Sequence, residues 1–457
     1  MRTLNKKRPT IFDSPTRLIV ISFAVVIFIG SILLCLPFCS RDGRFTNFLD
    51  CLFTATSATC VTGLVVFDTF QKWAPFGQAV ILCLIQVGGL GLITITTFFT
   101  VVIGKKLGLR SMQLAQESIN TTSLADISHL LKMVGLVSLT VETAGALLLM
   151  VRFVPRFGPG GIWISVFLSI SAFCNAGFDL LGQNTPFTSL TEYSGDPYVL
   201  LIISALIVTG GLGFVVWRDL YNYHKAKKFM LHTKIVLITT AVLITLGTVC
   251  FLLLEWHNPR TLGPFPAPEK ILNAFFQSIT CRTAGFNSID NGRLSNLSKI
   301  TSIVLMFIGA APGSTGGGIK VTTFSVLIMT VISVVKGRND TIIMKRKVPP
   351  QVVNKSLAIV FIGLAAVILS TSVILITNGV THGTTEIDAL FESVSAFATV
   401  GLSSGVTSVA SVASKIALIL TMFMGRVGPV SLALFITVRN NSIPKNEVVP
   451  EGKIIVG

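Results

Sequence analysis

The segment "TCRTAGF" (residues 280–286) is one of four short, glycine-containing interruptions in a chain that is otherwise mostly apolar. The other three are "ATCVTGL" (58–64), "AFCNAGF" (172–178) and "AFATVGL" (396–402). Their glycines are separated by 114, 108 and 116 residues, and a phenylalanine stands ten residues before each glycine. Four matches in register at a nearly constant spacing indicate an internal repeat.

The composition predicts that this repeat lies in a membrane. Only 12% of the 457 residues are charged and the mean hydropathy is +0.77, whereas soluble domains carry about 25% charged residues. Segments 18–38 and 357–377 are apolar over the roughly 20 residues that a membrane-spanning helix needs. Segment 18–38 is longer than the apolar core of a signal peptide, and no small-residue cleavage motif follows it. We therefore expect it to stay in the protein as a membrane-spanning helix.

Each repeat has the same predicted order: a long apolar helix, a short helix, the glycine segment and a second long apolar helix. The first helices are predicted at 17–37, 129–151, 234–254 and 354–377, the short ones at 46–57, 162–173, 269–280 and 386–397, and the second ones at 77–103, 198–222, 299–335 and 413–438. A helix of about 12 residues reaches about 18 Å, too short for a bilayer core of about 30 Å. We therefore predict an all-α polytopic membrane protein with four helix–pore-loop–helix repeats, giving eight transmembrane helices and four re-entrant pore helices in pseudo-fourfold arrangement around one pore.

Basic residues support the same topology. The net charge of +16 is concentrated in segments 2–17, 105–110, 218–234, 336–355 and 439–453, which are alternate connections, as the positive-inside rule requires. We predict a multi-pass plasma-membrane protein whose basic loops contact lipids and no nucleic acid. Its segments are a cytoplasmic N-terminus (1–16), repeat 1 (17–110), repeat 2 (111–230), repeat 3 (231–345), repeat 4 (346–440) and a cytoplasmic C-terminal tail (441–457).

The glycine segments are predicted to form a cation filter. A short helix that ends at the membrane centre points its negative dipole end at the axis, and the loop after it can turn carbonyls toward a cation. The candidate ligands are the backbone oxygens of Cys60, Val61, Thr62, Gly63, Cys174, Asn175, Ala176, Gly177, Arg282, Thr283, Ala284, Gly285, Ala398, Thr399, Val400 and Gly401. Asp68, Asp179 and Asp290 follow three of these segments and either concentrate cations at the mouth or are ordinary solvated loop acids.

The second helix of repeat 3 contains six glycine or proline residues between positions 309 and 318, which predicts a loop below the filter. A kink that only allows close packing is the alternative. Arg426 lies inside the last helix, where an arginine costs at least about 2.5 kcal/mol and faces either a cavity or a structural partner. Lys320 either faces the same cavity or reaches the cytoplasmic surface. Glu142, in the first helix of repeat 2, needs a partner that the sequence does not name.

The chain resembles the Trk/Ktr/HKT superfamily of potassium transporters through its glycine segments and through "IGAAPGSTGGGIK" (308–320) and "MGRVGPV" (424–430). The resemblance covers roughly residues 17–438 and is strongest to the shorter Ktr B-type membrane subunit. It implies potassium uptake through a filter whose backbone carbonyls bind potassium. It also implies an intramembrane gate made of Gly309, Ala310, Ala311, Pro312, Gly313, Ser314, Thr315, Gly316, Gly317, Gly318, Lys320 and Arg426.

The same resemblance implies a homodimer on a cytosolic ring of nucleotide-binding subunits, the Ktr A-type or RCK proteins. Each glycine segment lacks the Tyr-Gly tail of tetrameric channel filters, which predicts fewer ordered ion sites. Sodium is left open as a second ion. No cofactor is expected in the chain itself.

Arg282 is an unusual residue beside a cation path. A guanidinium on the axis would repel cations, so we expect the side chain to point away from it. Glu392 is the other charge predicted at this depth in the short helices, and it lies in the neighbouring repeat. We therefore predict an Arg282–Glu392 filter brace, since either charge unpaired would be costly.

Two other classes of function compete with potassium uptake, a secondary transporter and an intramembrane enzyme. A secondary transporter for another small solute, or a sodium/potassium symporter with weak selectivity, also uses broken helices, but such folds usually show two repeats that are often inverted. An intramembrane enzyme needs a nucleophile–base pair or a metal cluster. The eight cysteines and five histidines show neither spacing, so no enzymatic activity is expected.

Overall fold

The computed structural model describes residues 15–91, 127–379 and 383–429, together with the single residues 94, 112 and 432. These residues are almost entirely helical, with one two-stranded hairpin. The helices are α1 (Pro15–Cys35), α2 (Phe48–Thr59), α3 (Thr69–Lys72), α4 (Pro75–Leu90), α5 (Ile127–Phe157), α6 (Gly160–Phe173), α7 (Pro197–Gly211), α8 (Phe214–Ala226), α9 (Leu231–Glu255), α10 (Ala267–Thr280), α11 (Asn296–Phe307), α12 (Val321–Val335), α13 (Pro350–Ile374), α14 (Glu386–Ala398) and α15 (Val412–Val427). Strands β1 (Ile342–Ile343) and β2 (Arg346–Lys347) pair antiparallel between α12 and α13.

Four of the described helices are long and apolar enough to cross a membrane. They are α1, α5, α9 and α13, and each coincides with the predicted first helix of a repeat. Between 22% and 39% of each apolar window is buried inside the fold, so most of its surface faces outward, as lipid contact requires. A bent pair, α7 with α8, is a fifth candidate.

The four short helices lie inside this shell. They are α2, α6, α10 and α14, with 12, 14, 14 and 13 residues. Local capping starts two of them, since Asn47 accepts from the Leu49 N–H at 2.9 Å and Thr385 accepts from the Asp388 N–H at 3.2 Å. Their C-terminal halves are buried. Each therefore ends in the interior, as the length argument predicted.

The second helices are not continuous, which corrects the prediction for 77–103, 198–222 and 413–438. α4 ends at Leu90, α15 ends at Val427, and α7 and α8 meet at 93°. Gly91, Gly213 and Gly428 stand at these breaks with φ of 83°, 88° and 95°, a backbone conformation that L side chains rarely adopt. The remaining parts of the first and last of these predicted helices fall largely outside the described residues.

Polar contacts tie each repeat to the next around a closed circle. In every case the second-helix region of one repeat contacts the short helix of the following repeat. The contacts are Trp163 Nε1 to Gln78 Oε1 at 2.9 Å, Asn273 Nδ2 to the Ser194 carbonyl at 2.9 Å, Lys299 to Asp388 at 2.7 Å and Lys415 to Asp50 at 2.7 Å. These contacts join repeat 1 to repeat 2, repeat 2 to repeat 3, repeat 3 to repeat 4 and repeat 4 back to repeat 1. They therefore hold the four short helices around a common centre.

Candidate functional site

The four glycine segments meet in a closed ring at this centre. A Cβ added at Gly63 would lie 2.5 Å from the Ala176 carbonyl oxygen, and one at Gly177 would lie 2.9 Å from the Ala284 carbonyl oxygen. Gly285 faces the Val400 carbonyl and Gly401 faces the Thr62 carbonyl at even closer approach. Each glycine thus packs on the residue that precedes the glycine of the next segment. The ring closes in chain order, and no larger residue fits at these positions without displacing a carbonyl.

The backbone alternates in handedness along each segment. The residue two before each glycine also has positive φ: 57° at Val61, 58° at Asn175, 69° at Thr283 and 52° at Thr399. Three of these are β-branched, and such strain costs about 1–3 kcal/mol each. Alternation directs successive carbonyls to the same side. Valine and threonine ordinarily avoid this conformation, so the sequence gives no signal for it.

The backbone carbonyls of the ring are free, whereas its N–H groups are held from behind. None of the sixteen candidate carbonyl oxygens accepts a hydrogen bond from any residue that the structure describes. By contrast, Ser57 Oγ accepts from the Gly63 N–H and Ser395 Oγ accepts from the Gly401 N–H, both at 3.1 Å. Interior carbonyls are nearly always paired, so oxygens without a partner at this depth are available to a ligand such as a cation.

Outside the ring lies a cavity of about 190 Å³. The four glycines form its floor, and Asp68, Asp179 and Asn287 line its wall. Enclosure at the mouth raises the pKa of Asp179 to about 6, and the neighbouring Asp68 carboxylate adds to the rise. Asp290, also a candidate for the mouth, is not among the lining residues. It is exposed and pairs with Arg293 at 3.1 Å, so the first alternative is wrong for this residue.

The other side of the ring is covered by the glycine-rich segment 309–318, called the inner loop below. Its Gly316 lies against Thr283 Oγ1 and its Gly317 against Thr399 Oγ1, at approaches that leave no room for a Cβ. Thr315 Oγ1 donates to the carbonyl of Phe173 at 3.0 Å. The inner loop therefore lies directly under the filter segments, where the sequence analysis placed it, and is more than a packing kink.

The break between α7 and α8 receives this loop. The Ala311 N–H donates to the Gly211 carbonyl at 3.0 Å, and the Phe214 N–H donates to the Gly313 carbonyl at 2.9 Å. The Thr315 N–H reaches the Gly210 carbonyl at 3.3 Å. Two interrupted helices thus satisfy each other's backbone groups, which is the condition for irregular backbone at membrane depth.

Two cations hold the inner loop. Arg426 donates to the carbonyl of Thr315, and its Nη2 donates to the carbonyls of Gly88 at 2.5 Å and Gly89 at 3.1 Å. These glycines are the last turn of α4, where the helix dipole favours a positive charge. Lys320 Nζ bends back to the Gly316 carbonyl at 2.7 Å, so it does not extend to the membrane surface. Among the described residues neither cation has a carboxylate partner, which contradicts the ion-pair alternative for Arg426.

The predicted Arg282–Glu392 brace is wrong. No ion pair joins the two side chains, although both belong to the described part of the chain. Glu392 instead accepts hydrogen bonds from Ser403 Oγ and from the Thr407 N–H, the latter at 3.0 Å. Arg282 is 5% exposed, and its Nε and Nη1 have no partner there.

The ring geometry explains this error. Side chains three before the glycine face the preceding repeat, since Cys174 lies against Gly89 and Ala398 against Gly318. Arg282 occupies the same position in repeat 3, so we infer that its side chain is directed toward repeat 2, whereas Glu392 belongs to repeat 4. The order of the repeats showed that repeats 3 and 4 are adjacent. It did not show which of its two neighbouring repeats the Arg282 side chain points toward.

Comparison with known proteins adds independent findings. A sequence model described as "TrkH: Cation transport protein" matches residues 2–445. The chain is 38% identical to the potassium/sodium uptake protein NtpJ of Enterococcus hirae, with 100% of each chain covered. It is also 38% identical to the Ktr system potassium uptake protein B of Bacillus subtilis, with 97% of each covered.

Among solved structures, the potassium transporter TrkH from Vibrio parahaemolyticus matches with a TM-score of 0.71 and 20% identity, covering 95% of this chain and 87% of that one. This likeness confirms the predicted polytopic helical membrane fold. The counts of eight crossings and four repeats stay predictions.

Proposed function

Because this chain belongs to the TrkH family of cation transport proteins, we propose that it takes up potassium across the cell membrane through the glycine ring. The family membership also confirms the resemblance to the Trk/Ktr/HKT superfamily. The relatives named above are potassium or potassium/sodium uptake proteins, and they match this chain along its whole length. These names support potassium as the transported ion.

The single observation that carries the proposal is the set of free carbonyls. An unpaired carbonyl away from water costs several kcal/mol, and the ring holds four segments of them. A dehydrated cation is the ligand that such oxygens stabilise. Four short helices also direct their C-terminal ends at the ring, which favours a cation over an anion.

A transport path follows from the arrangement. A hydrated cation enters the outer cavity beside Asp68 and Asp179, exchanges its water for ring carbonyls, and then meets the inner loop. Arg426 and Lys320 place positive charge just beyond that loop. In this proposal, conduction requires the inner loop and these cations to move aside.

Sodium is the second candidate ion, and one relative carries it in its name. Each segment offers one glycine instead of the longer channel filter, so the ring has fewer carbonyl layers for discriminating between the two ions. A transporter for another small solute is less favoured, because the relatives that match along the whole chain are named for uptake of potassium or of potassium and sodium.

We propose that the chain acts as a homodimer, with cytoplasmic termini, on a cytosolic ring of nucleotide-binding subunits. The term "Ktr system" in a relative's name supports a multi-component assembly. Helix α8 offers a route for regulation. It runs at 93° to α7, and its first N–H donates to the Gly313 carbonyl of the inner loop. A partner that shifts α8 would therefore also displace the inner loop, to which α8 is hydrogen-bonded.

Rescue of a bacterium that lacks its own potassium uptake systems tests the proposal. The chain is expressed alone and together with a Ktr-type ring subunit, and growth is followed in low-potassium medium. Cell potassium is measured by flame photometry. We expect net potassium accumulation in at least one arm. No accumulation in either arm, with the protein present in the membrane, would refute potassium uptake.

A further inference from the structure

Glu142 is a buried acid inside a membrane helix that the transport path does not use. It lies in the middle of α5, which is one of the apolar spans, and is 6% exposed. An ionisable group at this depth costs at least about 2.5 kcal/mol in place of an apolar one. A leucine or methionine would fill the same space at less cost, so packing alone does not account for the residue.

The carboxyl group of Glu142 is held by one side chain from a different repeat. Gln86 Nε2, on α4, donates to its two oxygens at 3.1 Å and 3.2 Å. Among the described residues no cation pairs with this acid. The Ser169 hydroxyl of α6 donates to the backbone carbonyl of Glu142 at 2.6 Å, which fixes α5 against the short helix of repeat 2.

Gln86 continues this chain into the filter. Its Oε1 accepts from the Cys174 Sγ at 3.6 Å, and Cys174 is fully buried. The absence of a side chain at Gly89 lets this thiol approach α4, since a Cβ there would lie 2.7 Å from Sγ. Cys174 is also one of the sixteen residues whose free carbonyls form the ring. The connection therefore runs from a membrane helix, through a second repeat, to a filter residue.

The corresponding positions of the other repeats are supported differently. Cys60 lies beside Arg426, Ala398 packs on Gly318 of the inner loop, and Arg282 has two nitrogens without a partner in the described chain. The inner loop also contacts repeat 2, since Thr315 donates to the Phe173 carbonyl, and Cys174 is close to Arg426 as Cys60 is. Repeat 2 differs in that it has a second connection, through Gln86 and Glu142, in addition to the inner loop.

We infer that Gln86 and Glu142 are positioning residues that hold Cys174 and so set the cation selectivity of the ring. This inference rests on the proposed potassium uptake. They touch no ion themselves. Their effect is on the placement of the Cys174 backbone, in addition to the bond that the inner loop makes to the Phe173 carbonyl. Loss of the connection lets this segment relax, which weakens discrimination between potassium and sodium more than it lowers the transport rate.

Substitution of Gln86 by methionine tests this. Gln86→Met keeps the length of the side chain and removes its hydrogen bonds to Glu142 and to Cys174. Initial uptake of potassium and of sodium is measured in potassium-depleted cells, and each rate is divided by membrane abundance. We expect the potassium-to-sodium ratio to fall about fivefold, since one lost hydrogen bond changes an equilibrium by about that factor. Glu142→Gln retains an acceptor for Gln86 and is expected to stay within about twofold of the wild type.

Gln78→Met is the matched control. Gln78 lies two turns earlier on the same helix and bonds Trp163, so its substitution also removes a contact between repeats 1 and 2 but none to a ring residue. We expect its ratio to be unchanged. A fall equal to that of Gln86→Met would show a general loss of packing and overturn the inference.

Cys174→Ala removes the other end of the connection. It tests the inference if the Gln86→Met protein does not insert into the membrane. Alanine is the residue that repeat 4 carries at this position. A ratio within about twofold of wild type in every variant that transports potassium would overturn the inference. Failure of the wild type itself to accumulate potassium would instead refute the proposed function, so the two failures are distinguishable.

Discussion

Alanine substitutions in the glycine ring are predicted to lower ion selectivity to different extents. The difference separates displacement of a carbonyl ligand from backbone strain. Gly63→Ala and Gly177→Ala each add one methyl group at positive φ, 94° and 69° respectively. The left-handed conformation costs an alanine about 1–2 kcal/mol at either site. The two sites differ in what the methyl group meets, so they serve as controls for each other.

The distances give the size of the difference. At Gly63 the new Cβ lies 2.5 Å from the Ala176 carbonyl oxygen, and at Gly177 it lies 2.9 Å from that of Ala284. Contacts below 3.0 Å force a shift, so the first carbonyl must move by about 0.5 Å and the second by about 0.1 Å. We expect Gly63→Ala to lower the potassium-to-sodium uptake ratio roughly tenfold, about 1.4 kcal/mol, and Gly177→Ala to lower it about twofold.

The assay is initial uptake of the two ions into potassium-depleted cells that lack other uptake systems, normalised to membrane abundance. Gly43→Ala is the control for strain alone, since its φ is 62° and nothing lies within 4 Å of the added Cβ. Equal ratios for the two ring variants, or an unchanged ratio in both, would refute the assignment of these carbonyls as ion ligands.

Three further predictions concern Arg426 beside the inner loop, Asp179 at the mouth, and the ion pair between Lys415 and Asp50. Arg426→Gln loses the bonds that hold Thr315 to α4, so potassium efflux from loaded cells should rise several-fold, and an unchanged efflux would contradict the gating role. Asp179 has its pKa raised to about 6, so it gains a proton as external pH falls through that value, the mouth loses negative charge, and the apparent KM for potassium should rise. Asp179→Asn should give a KM that no longer depends on pH in this range. Lys415→Met leaves Asp50 unpaired at a mostly buried site, which should cost about 3 kcal/mol and lower the Tm of the purified protein, while Asp50→Asn in the same chain should recover part of the loss.

The sequence predicted those parts of the fold that depend on local pattern. Apolar length identified α1, α5, α9 and α13, and glycine spacing located the four segments that form the ring. The inner loop was predicted because proline and glycine cannot continue a helix. These features need no knowledge of neighbours, since each follows from the solvent around a segment or from its own backbone preferences.

The side-chain partners were predicted poorly, because they depend on direction in the assembled ring. Arg282 and Glu392 are in adjacent repeats, yet the first occupies a position that faces backwards and the second is bound by Ser403 and Thr407 of its own repeat. Asp290 is close to the mouth in sequence but forms a local pair with Arg293. The partner of Glu142 is Gln86, 56 residues earlier and in another repeat.

By itself, the sequence determined a helical membrane protein with four glycine segments and a broken helix, because hydropathy, charge and glycine content act locally along the chain. Only the tertiary structure decided that the glycines close on one another, that Val61, Asn175, Thr283 and Thr399 also take positive φ, and that the second helices break. These features arise where segments more than 100 residues apart compete for the same volume. At that point packing overrides local preference, and the ring of free carbonyls is the result.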